Sequence, residues 1–111
     1  MNEKHNNRTT IAIMLEALQP KKGQKILEVG AGSGYAAALL STIVGKEGVV
    51  CAIERLKELY EYAKRRLKNY ENVKLFLGDG SKGLPEEAPF DRILVSACAP
   101  KIPKPLLKQL K

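Results

Sequence analysis

The sequence has no tryptophan, a single histidine and only two cysteines in 111 residues. These few residues do not provide the spacing of a zinc site, so a metal centre is not expected. Cys51 and Cys98 lie in apolar segments, and we predict buried thiols rather than a disulfide or a reactive cysteine. His5 lies in a polar segment and is expected to be solvated rather than catalytic.

Long apolar runs are also missing. No stretch approaches the ~20 residues that a membrane-spanning helix needs, and residues 1–8 lack the apolar core of a signal peptide. We therefore expect a cytoplasmic protein. The length allows one domain, and we predict a polar tail over residues 1–8 followed by a core over residues 9–111.

Aromatic residues make up only 5% of the chain, whereas the formal net charge is +7. A basic domain can bind nucleic acid. The positive residues form two clusters on the predicted outer faces of helices: Lys64, Arg65, Arg66 and Lys68, then Lys101, Lys104, Lys108 and Lys111. Because aromatic residues are not interleaved with them, solvated basic faces are favoured over a nucleic-acid site.

What the sequence does contain is an alternation of helical and extended patterns. A first helix is predicted to end near Pro20 and Gly23. Strands are predicted at Lys25–Val29, Val49–Ile53, Val73–Leu77 and Arg92–Ser96, and helices at Tyr35–Val44, over Leu56–Leu67 and from Pro105 to Leu110. This alternation predicts an α/β fold with a doubly wound, mostly parallel, Rossmann-like sheet of about four strands.

A glycine-rich loop joins the first strand to the next helix, with the sequence Glu28-Val29-Gly30-Ala31-Gly32-Ser33-Gly34. Glycines in this context let a ligand approach the backbone. A dinucleotide fingerprint would place a glycine where Tyr35 stands, so the spacing favours a ligand without a pyrophosphate, such as S-adenosylmethionine. By itself, the motif is equally compatible with a glycine turn that serves only close packing.

Two acidic residues end later strands of the sheet. Glu54 ends the second strand, where a carboxylate can accept hydrogen bonds from both ribose hydroxyls; the alternative is a solvated glutamate. Asp79, which precedes Gly80, can accept from an adenine amino group while the Gly80 amide approaches the ring; the alternative is an ordinary turn aspartate. Since parallel strands end at one edge, these residues and the loop together predict a nucleoside ligand without phosphates.

Several segments closely resemble the protein-L-isoaspartate O-methyltransferases, which methylate isoaspartyl residues in damaged proteins. The similar segments are Ile26–Tyr35, Gly78–Gly83, Ala88–Ile93 and Ala97–Pro103. The resemblance extends from Thr10 to the end of the chain. It implies a methyltransferase fold that uses S-adenosylmethionine, with an isoaspartyl protein or peptide as the substrate.

The resemblance also implies roles for individual residues. The residues implied at the methionine end of the cofactor are Gly30, Gly32 and Ser33. Glu54 would hold the ribose, and Asp79 with Gly80 would hold the adenine. The full set of candidate cofactor-binding residues is Glu28, Gly30, Gly32, Ser33, Gly34, Glu54, Asp79 and Gly80. No residue is assigned as catalytic or as a metal ligand.

The sequence departs from the family in two places. Asn6 stands where the family has a serine in the segment that frames the isoaspartyl carboxylate, and Lys111 falls where the family continues with a further strand. We therefore predict cofactor binding with weak or no turnover on isoaspartyl peptides. The fourth strand would then be an exposed apolar edge. Either the chain forms homo-oligomers through that edge, or the final helix folds back over it.

Two other functions stay open. A nucleic-acid methyltransferase is favoured by the net charge. However, methylators of base amino groups usually end the fourth strand in Asn/Asp-Pro-Pro-aromatic, and this chain has Ser96-Ala97-Cys98-Ala99-Pro100, which lacks both the amide and the aromatic ring. The second alternative is a non-catalytic binding domain with a methyltransferase-like fold.

Overall fold

The structure, a computed structural model, describes residues 14–96 and 103–111. Residues 14–18 are helical and form the described part of α1. The later elements are β1 (Lys25–Val29), α2 (Tyr35–Val44), β2 (Val49–Glu54), α3 (Lys57–Arg66), β3 (Val73–Leu77), a 3₁₀ turn (Gly80–Lys82), β4 (Arg92–Val95) and α4 (Lys104–Gln109). The predicted alternation of strands and helices is confirmed. The predicted tail, His5 and Cys98 lie outside the described residues.

The four described strands are parallel and lie in the order β3-β2-β1-β4. The chain moves outward from β1 to β3 and then returns to the other side of β1. The direction of winding therefore reverses between β1 and β4. In open α/β sheets, ligands bind beside the carboxyl ends of the strands at such a reversal, so this topology indicates where a site should lie.

Each face of the sheet is covered, as parallel sheets require. On one face, Ile26 of β1 packs in a buried cluster with Ala37 and Leu40 of α2. On the other face, Leu27 packs with Phe90 and with Leu106 of α4. Successive residues of β1 thus face opposite clusters, and residues 26–29 are buried throughout. This central strand gives the glycine loop a rigid base.

Helix α4 packs against a face of the sheet. The alternative in which the final helix folds back over the exposed edge would place this helix beside β4. Leu106 is 1% exposed among the side chains of that face. The predicted helix extended to Leu110, but Leu110 is extended and pairs in parallel with Phe90. The Phe90 amide donates to the Gln109 carbonyl (2.7 Å), and the Lys111 amide donates to the Phe90 carbonyl (2.8 Å). Self-association through β4 stays a prediction.

Other predictions concern single residues and absences. Cys51 is a buried free thiol, as predicted, and the basic residues of α3 are exposed. Within residues 14–96 and 103–111, no helix is long and apolar enough to cross a membrane. The same ranges contain no group of three or more side chains arranged to hold a metal ion.

Candidate functional site at the carboxyl edge of the sheet

Two adjoining cavities, of about 400 and about 250 Å³, lie at the carboxyl ends of the strands. The residues that line both are Gly30, Gly32, Leu59 and Ser96. The larger cavity continues towards Asp79 and Gly80 after β3, and we call it the outer cavity. The smaller, inner cavity continues along Glu28 and Ser33. Both lie at the reversal point that the topology indicates.

The candidate residues lie close together, with one exception. Those that line at least one of the two cavities are Glu28, Gly30, Gly32, Ser33, Glu54, Asp79 and Gly80. Gly34 is the exception, because it lies buried at the start of α2 with a φ of +89°. A Cβ at Gly34 would lie 3.2 Å from Leu67 Cδ1 and 3.3 Å from Ala63 Cβ. The packing explanation of the glycine motif therefore applies to Gly34, which lets α2 approach α3.

The glycine loop is anchored to the end of β2 through its backbone. The amides of Gly30 and Ala31 both donate to the Ile53 carbonyl, at 2.9 and 3.0 Å. The next glycine amide, of Gly32, donates to Glu54 Oε1 at 2.8 Å. Three bonds thus fix the loop against the strand that carries Glu54, so the loop and this carboxylate form one rigid wall.

Glu54 is 5% exposed, so the alternative of a solvated strand-end glutamate is wrong. Its Oε1 accepts the Gly32 amide, and its Oε2 accepts the Leu56 amide at 3.0 Å. An ionised carboxylate offers about four acceptor positions. Two acceptor positions remain after these two hydrogen bonds. They are available to a ligand because Glu54 lines the outer cavity. The side chain is therefore held in place and still able to accept from hydroxyl groups of a ligand.

Asp79 and Gly80 form the far end of the outer cavity. Asp79 is exposed, and its Oδ1 accepts the Ser81 amide at 3.0 Å as the cap of the 3₁₀ turn. This hydrogen bond lowers the pKa of Asp79 below its ordinary value. Gly80 is buried against Val29, whose side chain occupies the space that a Cβ would take. The turn-aspartate alternative is thus correct for one oxygen of Asp79, and the residue also lines the cavity.

Glu28 is the buried acid of the inner cavity and is 1% exposed. The Ser96 hydroxyl donates to Glu28 Oε2 at 2.9 Å. Burial is the main reason that the pKa of Glu28 rises from 4.5 to about 8; the bond from Ser96 acts in the opposite direction, and the nearby charge of Glu54 adds to the rise. Glu28 is therefore largely neutral at pH 7, unlike an exposed glutamate.

Sequence reasoning missed several lining residues. Leu56 and Leu59 belong to the helix predicted over Leu56–Leu67, and no role at the site was predicted for them. They are 51% and 38% exposed and line the outer cavity. Ser96 was predicted as the end of the fourth strand, where a base-methylating motif would begin, and not as a lining residue; β4 ends one residue earlier, at Val95. Ser96 directly follows β4, which lies next to β1, and a polar residue in such a position is a candidate lining residue. The sequence alone does not show that β4 lies next to β1, because this requires the strand order.

Comparison with known proteins relates this geometry to a family. The sequence matches the family model described as "Protein-L-isoaspartate(D-aspartate) O-methyltransferase (PCMT)" over residues 2–111. A protein-L-isoaspartate O-methyltransferase from Ignicoccus hospitalis is 53% identical over 103 residues, which cover 91% of this chain and 49% of that protein. The chain spans about half the length of the curated relatives it matches.

Solved structures agree with the sequence match. A structure of a protein-L-isoaspartate O-methyltransferase superposes with a TM-score of 0.87 at 35% identity, covering 95% of this chain and 34% of that one. The O-methyltransferase TomG from Streptomyces achromogenes, solved in complex with S-adenosylmethionine, superposes with a TM-score of 0.72 at 27% identity and covers 91% of this chain and 50% of its own. The predicted methyltransferase fold is thus confirmed.

Proposed function

The chain belongs to the protein-L-isoaspartate(D-aspartate) O-methyltransferase family, and from that premise we propose that it binds S-adenosylmethionine across the carboxyl edge of its sheet. The proposed reaction is transfer of the methyl group to the carboxylate of an isoaspartyl residue in a protein or peptide. One observation supports this most strongly. Hydrogen-bond acceptors, and glycine backbone that a ligand can approach closely, lie at the ends of β1, β2 and β3 and line two adjoining cavities.

The described residues fit the adenosine part of this cofactor. Glu54 is fixed by two backbone amides and keeps acceptor capacity for the ribose hydroxyls. Asp79 would accept from the adenine amino group beside Gly80, where the backbone has no side chain in the way. Leu56 and Leu59 offer an apolar surface for the base, because both are exposed towards the outer cavity.

When bound, S-adenosylmethionine supplies a methyl group that its sulfonium already activates. An isoaspartyl carboxylate is ionised at neutral pH, so it needs no general base. The protein's contribution is then to hold the two reactants close and aligned, which can lower a barrier by ~7–11 kcal/mol. The loop that is bonded to Ile53 and Glu54 is the rigid element to which the methionine end of the cofactor would bind.

Calorimetric titration with S-adenosylhomocysteine tests the cofactor proposal. We expect the wild-type chain to bind and the Asp79→Ala variant to bind about 10- to 100-fold more weakly, the loss expected when a hydrogen bond to a charged group is removed. Asp79 is exposed, so the variant should stay folded.

Asp91→Ala provides a matched control for Asp79→Ala. Asp91 also accepts a backbone amide, from Lys25 at 2.8 Å, but it lies outside both cavities. The control should therefore bind like the wild type. Absence of binding by the wild-type chain, or equal weakening in both variants, would contradict the proposed site.

Methyl transfer is tested separately, with radiolabelled S-adenosylmethionine and two peptides that differ only in an isoaspartyl or aspartyl linkage. The proposed activity requires label on the isoaspartyl peptide alone. For this purified chain, the sequence predicts weak or no turnover, and Asn6, on which that prediction rests, lies outside the described residues. Robust formation of methyl ester by this chain would contradict that prediction.

The two alternative functions, a nucleic-acid methyltransferase and a non-catalytic binding domain, gain no specific support. Ser96, which stands where base methylators place an amide, donates its hydroxyl to Glu28. A non-catalytic binding domain would share the cofactor site and differ only in the transfer experiment. We also propose a cytoplasmic location, which is consistent with the free thiol of Cys51.

A further inference from the structure

A buried polar side chain of helix α4, Gln109, contacts the segment that follows the turn at Asp79 and Gly80. The side chain of Gln109 is amidic, and the residue is 7% exposed. Its Oε1 accepts the Leu84 amide at 2.8 Å, and its Nε2 donates to the Lys82 carbonyl at 3.0 Å. Both ends of the amide group therefore have a backbone partner in this segment.

Gly83 lies between these two backbone partners, and its shape fits the Gln109 side chain. Gly83 is buried and has a φ of +62°, a conformation that residues with a Cβ rarely adopt. A Cβ at this position would collide with the amide group of Gln109. The Gly83 amide also donates to the Gly80 carbonyl at 3.0 Å. The contact with Gln109 therefore continues into the hydrogen bond that closes the 3₁₀ turn.

The other end of the 3₁₀ turn is fixed by residues of the outer cavity. Asp79 accepts the Ser81 amide at 3.0 Å as the cap of the turn, and the buried Gly80 packs against Val29 of β1. Asp79 and Ser81 are themselves exposed, so their side chains contribute little buried contact that would hold the turn in place. The buried hydrogen bonds from Gln109 supply that restraint at the end of the turn that faces α4.

Helix α4 also lines the outer cavity directly. Pro103 and Leu106 line it together with Asp79 and Gly80. Gln109 lies outside both cavities, so a ligand bound there would not touch it. Gln109 can therefore affect such a ligand only through the position of the turn. Recognition sites need their contacting groups held to within about 0.5 Å by supporting residues of this kind.

We propose that Gln109 is a positioning residue for the turn that binds adenine, and that it makes the outer cavity selective for the adenine amino group. The proposal rests on the proposed function, in which Asp79 accepts from that amino group. A hydrogen bond weakens steeply as its geometry departs from the optimum. A displaced turn would therefore lose this bond, whereas the apolar contact of the base with Leu56 and Leu59 would persist.

Two ligands that differ only in this amino group measure the selectivity. Isothermal titration gives the Kd of S-adenosylhomocysteine and of its purine analogue, in which hydrogen replaces the adenine amino group. We expect the wild-type chain to bind S-adenosylhomocysteine about 10- to 100-fold more tightly than the analogue, as a hydrogen bond to a charged acceptor predicts. Both ligands have the same ribose and amino-acid end, so the ratio of their Kd values reports on the amino group alone.

Gln109→Met replaces the amide by an apolar side chain of similar length. It should reduce the ratio of the two Kd values about tenfold, mainly by weakening the binding of S-adenosylhomocysteine. Gln109→Glu keeps an acceptor for the Leu84 amide but removes the donor to the Lys82 carbonyl, so it should also reduce the ratio. This second variant decides the question if Gln109→Met does not fold.

Asn72→Leu is the matched control. Asn72 is also an amide that donates to two backbone carbonyls, of Ser41 at 3.0 Å and Gly45 at 2.9 Å, and it lies outside both cavities. The control should lose stability in urea, as Gln109→Met does, because both variants leave backbone groups without their partners. It should keep the wild-type ratio of the two Kd values, which a merely structural role of Gln109 would also leave unchanged.

A double-mutant cycle shows whether Gln109 acts through Asp79. When Asp79→Ala has removed the acceptor, adding Gln109→Met should change the Kd of S-adenosylhomocysteine by about twofold or less, because coupled residues have non-additive effects. In the presence of Asp79, the same substitution should raise this Kd about tenfold. Additive effects of the two substitutions would overturn the proposed route through the turn.

The outcomes distinguish this inference from the proposed function. A wild-type ratio in the folded Gln109 variants, or an equal reduction in Asn72→Leu, overturns the role of Gln109 and leaves cofactor binding intact. Equal binding of the two ligands by the wild-type chain overturns the role of Asp79 and, with it, this inference. No binding of S-adenosylhomocysteine by the wild-type chain overturns the proposed function and this inference together.

Discussion

At the scale of single residues, Glu28 should make the stability of the ligand-free chain depend on pH. The unfolded chain releases this proton near pH 4.5, and the folded chain keeps it until about pH 8. Between these values the unfolded state binds fewer protons, so stability falls as pH rises. We expect the free energy of unfolding in urea to fall by on the order of a few kcal/mol from pH 5 to pH 8. Glu28→Gln should remove most of this slope.

Asp91→Asn is a suitable control for this pH dependence. The Lys25 amide and the Lys111 side chain hold the pKa of Asp91 below its ordinary value, so Asp91 titrates below this range. Cys51 titrates above it, because burial raises its pKa to about 11. The control should keep the wild-type slope. Identical slopes in the wild type and in Glu28→Gln would show that Glu28 does not hold its proton.

Two neighbouring glycines should respond differently to substitution. A Cβ at Gly80 would run into the side chain of Val29, which is 8% exposed on β1. A Cβ at Gly78 would meet nothing within 4 Å. Gly80→Ala should therefore lower the free energy of unfolding by about 1–3 kcal/mol, and Gly78→Ala should change it by about 0.5 kcal/mol or less. Equal effects in urea titrations would contradict the close approach at Gly80.

Some of the residues that line the two cavities could be predicted from the sequence, and others could not. Glu54 and Asp79 could be predicted because each directly follows an apolar strand, and parallel strands end at one edge. Gly34 was assigned to the ligand, whereas its missing side chain serves the contact with Leu67. The partnership of Glu28 with Ser96 joins residues 68 positions apart. A contact between residues so far apart in the chain cannot be predicted from a local sequence pattern.

At the scale of elements, the apolar contact of α4 with the sheet should stabilise the fold through Leu106. Leu106 is 1% exposed against the sheet, and the adjacent Leu107 is 57% exposed. Leu106→Ala should lower the free energy of unfolding by about 2–5 kcal/mol, whereas Leu107→Ala should change it by about 0.5 kcal/mol or less. A similar small effect of both variants on urea unfolding would show that α4 does not dock on this face.

The elements that the sequence predicted best are those with unambiguous local signals. The bounds of β1, α2 and β3 agree with prediction, since each is an apolar run flanked by turn residues. The end of α4 was wrong, because the pairing of Leu110 with Phe90 draws the chain out of the helix. The exposure of Leu56 and Leu59 was missed for a related reason. Apolar spacing does not distinguish a core from a ligand cavity.

At the scale of the whole molecule, the strand order determines where the site lies. Alternation of strands and helices predicts a parallel sheet, and right-handed crossovers limit its topology. The order β3-β2-β1-β4 brings the ends of β1 and β4 together, with Glu28 on one and Ser96 just after the other. The sequence predicted the fold and the edge of the sheet where the candidate site lies. The hydrogen bond between Ser96 and Glu28, which joins the ends of β4 and β1, was seen only in the structure.

We propose above that a nucleoside ligand lies across the carboxyl edge of this sheet. A crystal structure of the chain with S-adenosylhomocysteine tests it most directly. We predict the adenine beside Asp79 and Gly80, the ribose at Glu54 and the amino-acid end at the glycine loop. Ligand density at another surface, such as the groove of about 810 Å³ beside Ser41 and Asn72, or no bound ligand at saturating concentration, would contradict it.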